Sequence, residues 1–569
     1  MHDYAGADCH LQGTCDTCPR LVKIDGAIEK VQNMLIHLIK IRLEIKQKVN
    51  SRHDRLIGRL PVEIVSMIFI FYTKIGQPLY YTVIPHISYR RTVMIQPALL
   101  LGSVCKRWRD ITITTPQLWT EVFIDFSRHV RHFDVIKEWL RRSGGLPLYM
   151  IFRNRNSEPV PSTLGPIFSL LRSHAARWRY VDLSIPSQLF HGLLSSLEIV
   201  PRVEQLRIVP PKDNNGWNSQ TISMTEPFRP IGLHVKNYFP ADTFVRWDNL
   251  AVADMASIKV DALVHLITHG IRIENLRTMG IIEDGDEYPL PSTPIANVSI
   301  KALTAEACPA ERNFLRYITL PSLRHLTYTF CIEDLEHRQG AHDVLVTFLR
   351  LSAPVLALFF FRYRVQHDYD SMPGWRDQWN SLPEITRLEL DSAGQNDDSD
   401  SEQEEELIDF IDEFFRELAY DLEAIVLPNL QSLTINIDWL PIPSWSLFAN
   451  IFPPSQSSGS AIADAIDVSA LSLEQRANPL PLNNVNGLKR PLTTVVVKMK
   501  HVENMEESVF LRFVDIQRSG LKLTVTNLEG CDMLARMAES YDFANVSDPY
   551  AESESSEDVE DYNLVVVQL

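Results

Sequence analysis

Positive charge is in short supply: 55 lysines and arginines stand against 72 acids, a formal charge of −17 over 569 residues. A chain with that balance has no general electrostatic attraction for nucleic acid or anionic membrane, so neither is expected as a partner. Long apolar runs are missing too. The longest, Val355 to Phe361, is far below the roughly 20 residues that span a bilayer. Met1 to Arg20 holds no apolar signal core. Cysteine is sparse and odd in number: the seven (Cys9, Cys15, Cys18, Cys105, Cys308, Cys331 and Cys531) are spread thinly. That usage fits a reducing compartment and leads us to expect a cytoplasmic or nuclear protein.

Catalytic motifs are lacking as well. No Walker glycines, GxGxxG, GxSxG or HExxH occur, and the 17 histidines gather near no serine or cysteine in a catalytic pattern. We therefore expect no enzyme, no active site and no cofactor. Cys15-x-x-Cys18, with Cys9 and either His2 or His10, supplies four possible zinc ligands. Their spacing is irregular and there is no second cysteine pair, so free thiols in a disordered N-terminus (1–20) are the preferred reading, and no metal is expected. A heptad helix follows Cys18 rather than a βαβ unit, which argues against thioredoxin-like chemistry. Asp398-x-Asp400-x-Glu402 imitates a calcium loop but has Gln403 where a glycine must make the turn.

What is present is uneven. The composition is 45% hydrophobic and 22% charged, enough for packed cores, and the length implies more than one domain or an elongated repeat. Asp397 to Glu406 and Asp548 to Asp561 carry seven acids each and no Lys or Arg, so fourteen of the seventeen excess charges lie in two segments. We read them as a solvated insert (391–406) and an acidic tail (541–569). Ser399, Ser401, Ser553, Ser555 and Ser556 lie among these acids, surroundings that suit acid-directed phosphorylation.

Leu21, Ile24, Ile28, Val31, Leu35, Leu38, Ile45 and Val49 recur at steps of three and four, with Arg42 at its turn in the register. This is an a/d seam, and it predicts a coiled-coil-like helix over 21–50. Packing back on its own domain and pairing with a coiled-coil partner both satisfy it. Next, Leu60-Pro61 opens a helix, with Pro at its first position, in which Ile64, Ile68, Phe69 and Tyr72 share a face. Pro97 starts a second with Leu101, Val104, Cys105, Trp108 and Ile111 inward. Thr115-Pro116 then launches a third, short helix that brings Leu118 and Trp119 together.

The order Leu60-Pro61-x-Glu63-Ile64-x-x-x-Ile68-Phe69, Val104-Cys105-Lys106-x-Trp108-Arg109, Thr115-Pro116-x-Leu118-Trp119 resembles the F-box, particularly the F-box-like proteins of mushroom-forming fungi. The resemblance covers 56–121, and the connection from Gly76 to Gln96 is longer than that family would suggest. It implies a three-helix domain that binds a Skp-family adaptor, and through it a cullin ligase, with Leu60, Pro61, Ile64, Ile68, Val104, Trp108, Leu118 and Trp119 as the adaptor-binding residues.

Four copies of a nine-residue unit follow: Val200-Pro201-x-Val203-x-x-Leu206-x-Ile208, Leu320-Pro321-x-Leu323-x-x-Leu326-x-Tyr328, Leu382-Pro383-x-Ile385-x-x-Leu388-x-Leu390 and Leu427-Pro428-x-Leu430-x-x-Leu433-x-Ile435. Strand-like runs at 148–152, 180–184, 231–235, 275–279, 298–303, 355–361, 493–499 and 521–526 alternate with helix-like segments such as 130–142, 166–177 and 341–351. A strand, a turn and a helix every few dozen residues is the pattern of an irregular leucine-rich repeat. The predicted fold class is α/β: an N-terminal amphipathic helix and three-helix F-box, then a leucine-rich-repeat-like solenoid over 122–540, interrupted by the acidic insert and a loop at 452–490. A doubly wound α/β sheet is the competing arrangement.

In each nine-residue unit the apolar positions point to the core. The alternate residues Gln205 and Arg207, His325 and Thr327, Arg387 and Glu389, Ser432 and Thr434 then form an open sheet face suited to a protein substrate. Together these readings describe the substrate-receptor subunit of a cullin-based SCF-type ubiquitin ligase acting in ubiquitin-dependent degradation. The alternative is a non-catalytic protein–protein interaction scaffold whose F-box engages no ligase.

Overall fold

The computed structural model describes residues 17–53, 60–75, 97–126, 133–154, 164–194, 197, 201–209, 227–237, 244–282, 287–309, 313–330, 335–352, 355–364, 379–380, 382–393, 412, 414–419, 426–437, 444–452, 490–499, 505–518, 520–527 and 530–537. It is mixed α/β. His2, Cys9, His10, Cys15 and Cys331, the 76–96 connection, most of the acidic insert and of the 452–490 loop, the five acid-flanked serines and the acidic tail lie outside the described residues. Among the described residues, no cluster of His, Cys, Asp or Glu is placed to hold a metal, and no helix is long and apolar enough to cross a membrane.

The chain forms two compact units, divided near 204/205. The first unit opens with α1 (Thr17–His53), longer than its heptad seam suggested, followed by α2 (Val62–Ile75), α3 (Pro97–Val104) and α4 (Lys106–Thr114). The single helix expected from Pro97 is broken at Cys105, whose extended backbone (φ −154°, ψ 171°) caps α4 while its Sγ accepts the Trp108 N–H at 3.4 Å. The short 3-10 turn Pro116–Trp119 leads into β1 (Glu121–Asp125), α5 (Phe133–Arg142), β2 (Leu148–Arg153), α6 (Gly165–Ser173), β3 (Trp178–Ser184) and α7 (Ser187–Leu194). β1, β2 and β3 pair in parallel in that order. The Trp119 and Trp139 rings meet edge to face at 4.5 Å, joining the helices to the first strands.

The second unit is a parallel sheet whose strands pair in chain order: β4 (Gln205–Ile208), β5 (Gly232–Lys236), β6 (Val252–Ala256), β7 (Asn275–Met279), β9 (Ala302–Glu306), β11 (His325–Phe330), β12 (Leu358–Arg364), β13 (Arg387–Ala393), β14 (Ser432–Ile437), β15 (Thr494–Met499) and β16 (Lys522–Asn527). The short strands β8 (Ile295–Ala296) and β10 (Ile318–Thr319) pair separately with each other. α8 (Val260–His269), α9 (Leu335–Ser352) and the helices Trp445–Ala449 and Glu507–Arg518 lie between strands. Among the boundaries that differ from expectation, two are informative. The run 298–303 becomes a strand only at Ala302, because Asn297 bends the chain by accepting the N–H groups of Ser299 and Ile300 on its Oδ1. Asp391, expected in the acidic insert, belongs to β13. β1 and β6 had no expectation behind them; Val252–Ala256 offers only two large apolar side chains, too weak an alternation to read.

The nine-residue units behave alike. In three of them the third apolar position turns back on the first: Leu323, Ile385 and Leu430 donate N–H to the carbonyls of Leu320, Leu382 and Leu427. All their apolar positions are buried. From β6 onward the residue just before each strand donates its N–H to the equivalent residue of the strand before. This ladder runs through Ala251, Glu274, Lys301, Arg324, Ala357, Thr386, Gln431 and Thr493 with steps of 2.8–3.0 Å, and Lys522, the first residue of β16, donates to the Thr493 carbonyl. The registers therefore coincide, and one buried column contains Leu206, Leu233, Ala253, Leu276, Leu303, Leu326, Phe359, Leu388, Leu433, Val495 and Leu523.

Where the nine-residue unit is absent, a different device repeats. Asn237, Ser257 and Gly280, each the first residue after its strand, have φ of 54°, 53° and 59°. This left-handed exit suits glycine, and asparagine among the others. Asn237 and Ser257 donate N–H to the carbonyls of Ala256 and Met279, and Gly280 donates to the Glu306 carboxylate instead. Further along, ring contacts run from Phe359 through Trp379, Phe414, Phe415 and Phe448 to Phe513, binding strand to helix. Arg490 is buried, its guanidinium donating to the Leu418 and Val426 carbonyls, and burial lowers it to about 10.

Leu388→Ala, which opens a cavity in the shared column, is expected to cost about 2–5 kcal/mol. Thr434→Ala on the opposite face is expected to stay within about 0.5 kcal/mol. Denaturant melts of the two variants distinguish the faces.

Candidate interaction surfaces

α2 turns Val65 and Phe69 fully inward. The Phe69 ring packs on Trp108 of α4 with centroids 4.8 Å apart, and Ser66 Oγ lies 3.1 Å from Thr115 Oγ1. Arg107 donates to the Leu60 carbonyl at 3.0 Å, pinning the entry to α2, and Arg109 donates to the Gly102 carbonyl at 2.9 Å, holding α3 against α4. Trp119 donates its indole N–H to the Thr112 carbonyl at 2.8 Å, and the Arg142 guanidinium covers its ring at 4.5 Å.

This arrangement sorts the eight expected adaptor-binding residues into two groups. Pro61, Ile64 (42% exposed), Ile68 (41%) and Val104 are exposed, and Leu60 is half-buried. Trp108 is half-buried against Phe69. Leu118 (6% exposed) and Trp119 (2%) are core, a correction to their expected place on a docking face. The inward face of α2 is set by Val65 and Phe69 rather than by Ile64 and Ile68, because helix packing selects one of two overlapping i, i+4 stripes. Met67 and Phe71, which sequence reading passed over, are exposed beside Ile64 and Ile68 on α2, as are Leu99 and Leu100 on α3. Once Val65 and Phe69 point inward, helical spacing places Met67 and Phe71 outward; the missing information was the phase.

The second surface is the sheet face of the second unit opposite the buried columns. Gln205, Arg207, His325, Thr327, Arg387, Glu389, Ser432 and Thr434 all lie on it, exposed or half-buried as expected. Register places Arg387 beside Ser432 and Glu389 beside Thr434, whereas Gln205 and Arg207 stand on β4, separated from His325 and Thr327 by four strands. The eight therefore do not form one cluster.

Between them are charged residues that the nine-residue unit does not mark. His234 and Asp254 are adjacent in register, with Nδ1 2.9 Å from the carboxylate. Arg277 follows on the next strand, held below its usual range by burial and raised in part by Asp254 and Glu306. Arg362 pairs with Asp391 across β12 and β13 while covering the Phe360 ring at 5.5 Å, and Arg387 pairs with Glu389. Opposite charges are thus matched across neighbouring strands. Such a face presents polar groups of mixed charge, several of them paired, which suits a polar protein surface better than an apolar ligand.

Cys308 is buried, and that burial pushes its thiol up to about 12; nearby Tyr328 is raised by the same cause. A thiol so placed is a core group, not a nucleophile. Compared with models of known protein families, the chain matches none, and no curated protein matches it.

Phe69→Ala should destabilise by about 3–5 kcal/mol, whereas Ile68→Asp should leave the thermal midpoint nearly unchanged. Alkylation at pH 8 with peptide mapping should label exposed Cys531 and spare Cys308 until the protein is denatured.

Proposed function

We propose that the chain is the substrate-receptor subunit of a cullin-based SCF-type ubiquitin ligase, without chemistry of its own. The 56–121 region serves as an F-box that binds a Skp-family adaptor, and the parallel repeat sheet serves as a leucine-rich-repeat-like solenoid that holds a protein substrate. The observation that carries this reading is the apolar face of α2. Ile64, Met67, Ile68 and Phe71 are exposed on a helix whose other side is locked by Val65 and Phe69. Apolar side chains gathered in this way mark an interaction surface. Burying four of them at about 1.5–3 kcal/mol each is ample for binding before association costs. The motif order that resembles the F-box runs from this helix through α3 and α4 to the 3-10 turn Pro116–Trp119.

The sheet's strand order supports the second half. A doubly wound sheet reverses its order at a switch point, whereas within the second unit each long strand pairs with the next long strand in the chain. That is what stacked repeats produce. A receptor of this kind acts by proximity, raising the local concentration of a bound protein beside a ubiquitin-carrying enzyme.

The test is a pull-down of the full chain with a Skp-family adaptor, comparing wild type with an Ile64→Asp, Ile68→Asp double variant. Binding by wild type and its loss in the double variant, at an unchanged thermal midpoint, is the expected result. Trp119 is left intact because its removal would disturb the core. Failure of the wild-type chain to bind would overturn the ligase reading.

A further inference from the structure

α1 is the least covered element of the first unit. Its large apolar side chains from Leu21 to Val49 are between 38% and 71% exposed, so the seam read from the sequence is left uncovered among the described residues. From Leu21 to Val49 the seam is about 42 Å long at 1.5 Å per residue. At helix separations of about 10 Å a seam of that length removes on the order of 800 Å² per copy, the size of a standard specific interface.

For a second copy as the occupant, the charge along the helix selects the direction. Residues 17–35 carry Arg20, Lys23 and Lys30 against Asp25 and Glu29, a net +1. Residues 36–53 carry Lys40, Arg42, Lys46, Lys48 and Arg52 against Glu44, a net +4. Two copies in parallel would set the +4 halves side by side and oppose Arg42 to Arg42 in a core layer. Turned antiparallel, each +4 half meets a +1 half, and the helix dipoles oppose favourably.

The antiparallel register is also chemically matched. With Leu35 opposite Leu38 of the second copy, Ile28 falls opposite Ile45, Ile24 opposite Val49, and Arg42 opposite Val31, where its long stem can pack while its guanidinium reaches water. On the flanks Asp25 meets Lys46, and Met34 meets Ile41, twice each by symmetry. The three apolar flank positions Met34, Ile39 and Ile41 widen the centre of the seam, where a two-helix contact buries most.

We propose that α1 joins two copies of this chain as an antiparallel two-helix coiled coil. Sedimentation velocity of the full chain over a concentration series should show a dimer. A Leu35→Glu, Leu38→Glu variant should be monomeric across the same range with an unchanged thermal midpoint, since both side chains are exposed within one copy. For direction, Ile28→Cys and Ile45→Cys chains are oxidised separately and mixed, and the linked peptides are mapped by mass spectrometry. A 28–45 link in the mixture, without 28–28 or 45–45 links in the separate samples, is expected. Links of each variant to itself would overturn the antiparallel arrangement. A wild-type monomer at every concentration would overturn the dimer, whether α1 then sediments with phosphatidylserine vesicles, binds an acidic a/d heptad peptide, or does neither.

Discussion

The second unit depends on one constraint: parallel strands can share a backbone ladder only if every strand enters it at the same phase. The N–H donations running from Ala251 to Thr493 enforce this at the residue before each strand. A slip of one residue on any strand would move its buried column residue to the open face. Leu388 and Leu433 thereby remain in one column with Leu206, although the segments between them differ greatly in length. Because the sheet fixes phase and not spacing, it tolerates long insertions between strands, as between Ile437 and Thr494.

The same constraint produces the open face. When alternate residues of each strand are committed to the core, the others are displayed in rows one strand apart. Residues far apart in the chain, such as Arg362 and Asp391, thus become neighbours that compensate each other's charge. The first unit reaches its exposed face differently. There Val65, Phe69 and Trp119 take the interior, with Trp108 half-buried against Phe69, and the remaining apolar residues of α2 are left outside. An apolar surface on a helix so short is a consequence of packing three small helices around two tryptophans.

Much of this was legible in the residues. The nine-residue units mark the turns before strands β11, β13 and β14, because a buried leucine, a Pro-initiated turn and an alternating strand together need that spacing. The helix seam at Leu21 to Val49 was equally clear. Strand β6 was not, since Val252–Ala256 is too short and too weakly alternating. The pairing of His234 with Asp254 was hidden because nothing local in either strand refers to the other. Leu118 and Trp119 were misplaced because an apolar residue in a small helical element reads the same whether it faces a core or a partner.

Sequence by itself determined periodicity: where strands and helices occur, which side chains alternate, and how charge is distributed along α1 and the acidic segments. These are properties of near neighbours, set by backbone geometry and side-chain spacing. Only tertiary structure decided phase and pairing. It chose Val65 and Phe69 over Ile64 and Ile68 as the inner face of α2, broke a continuous helical pattern at Cys105, and assigned Asp391 to a strand beside Arg362. Each of those choices compares residues distant in the chain, and their energies exist only once the segments meet.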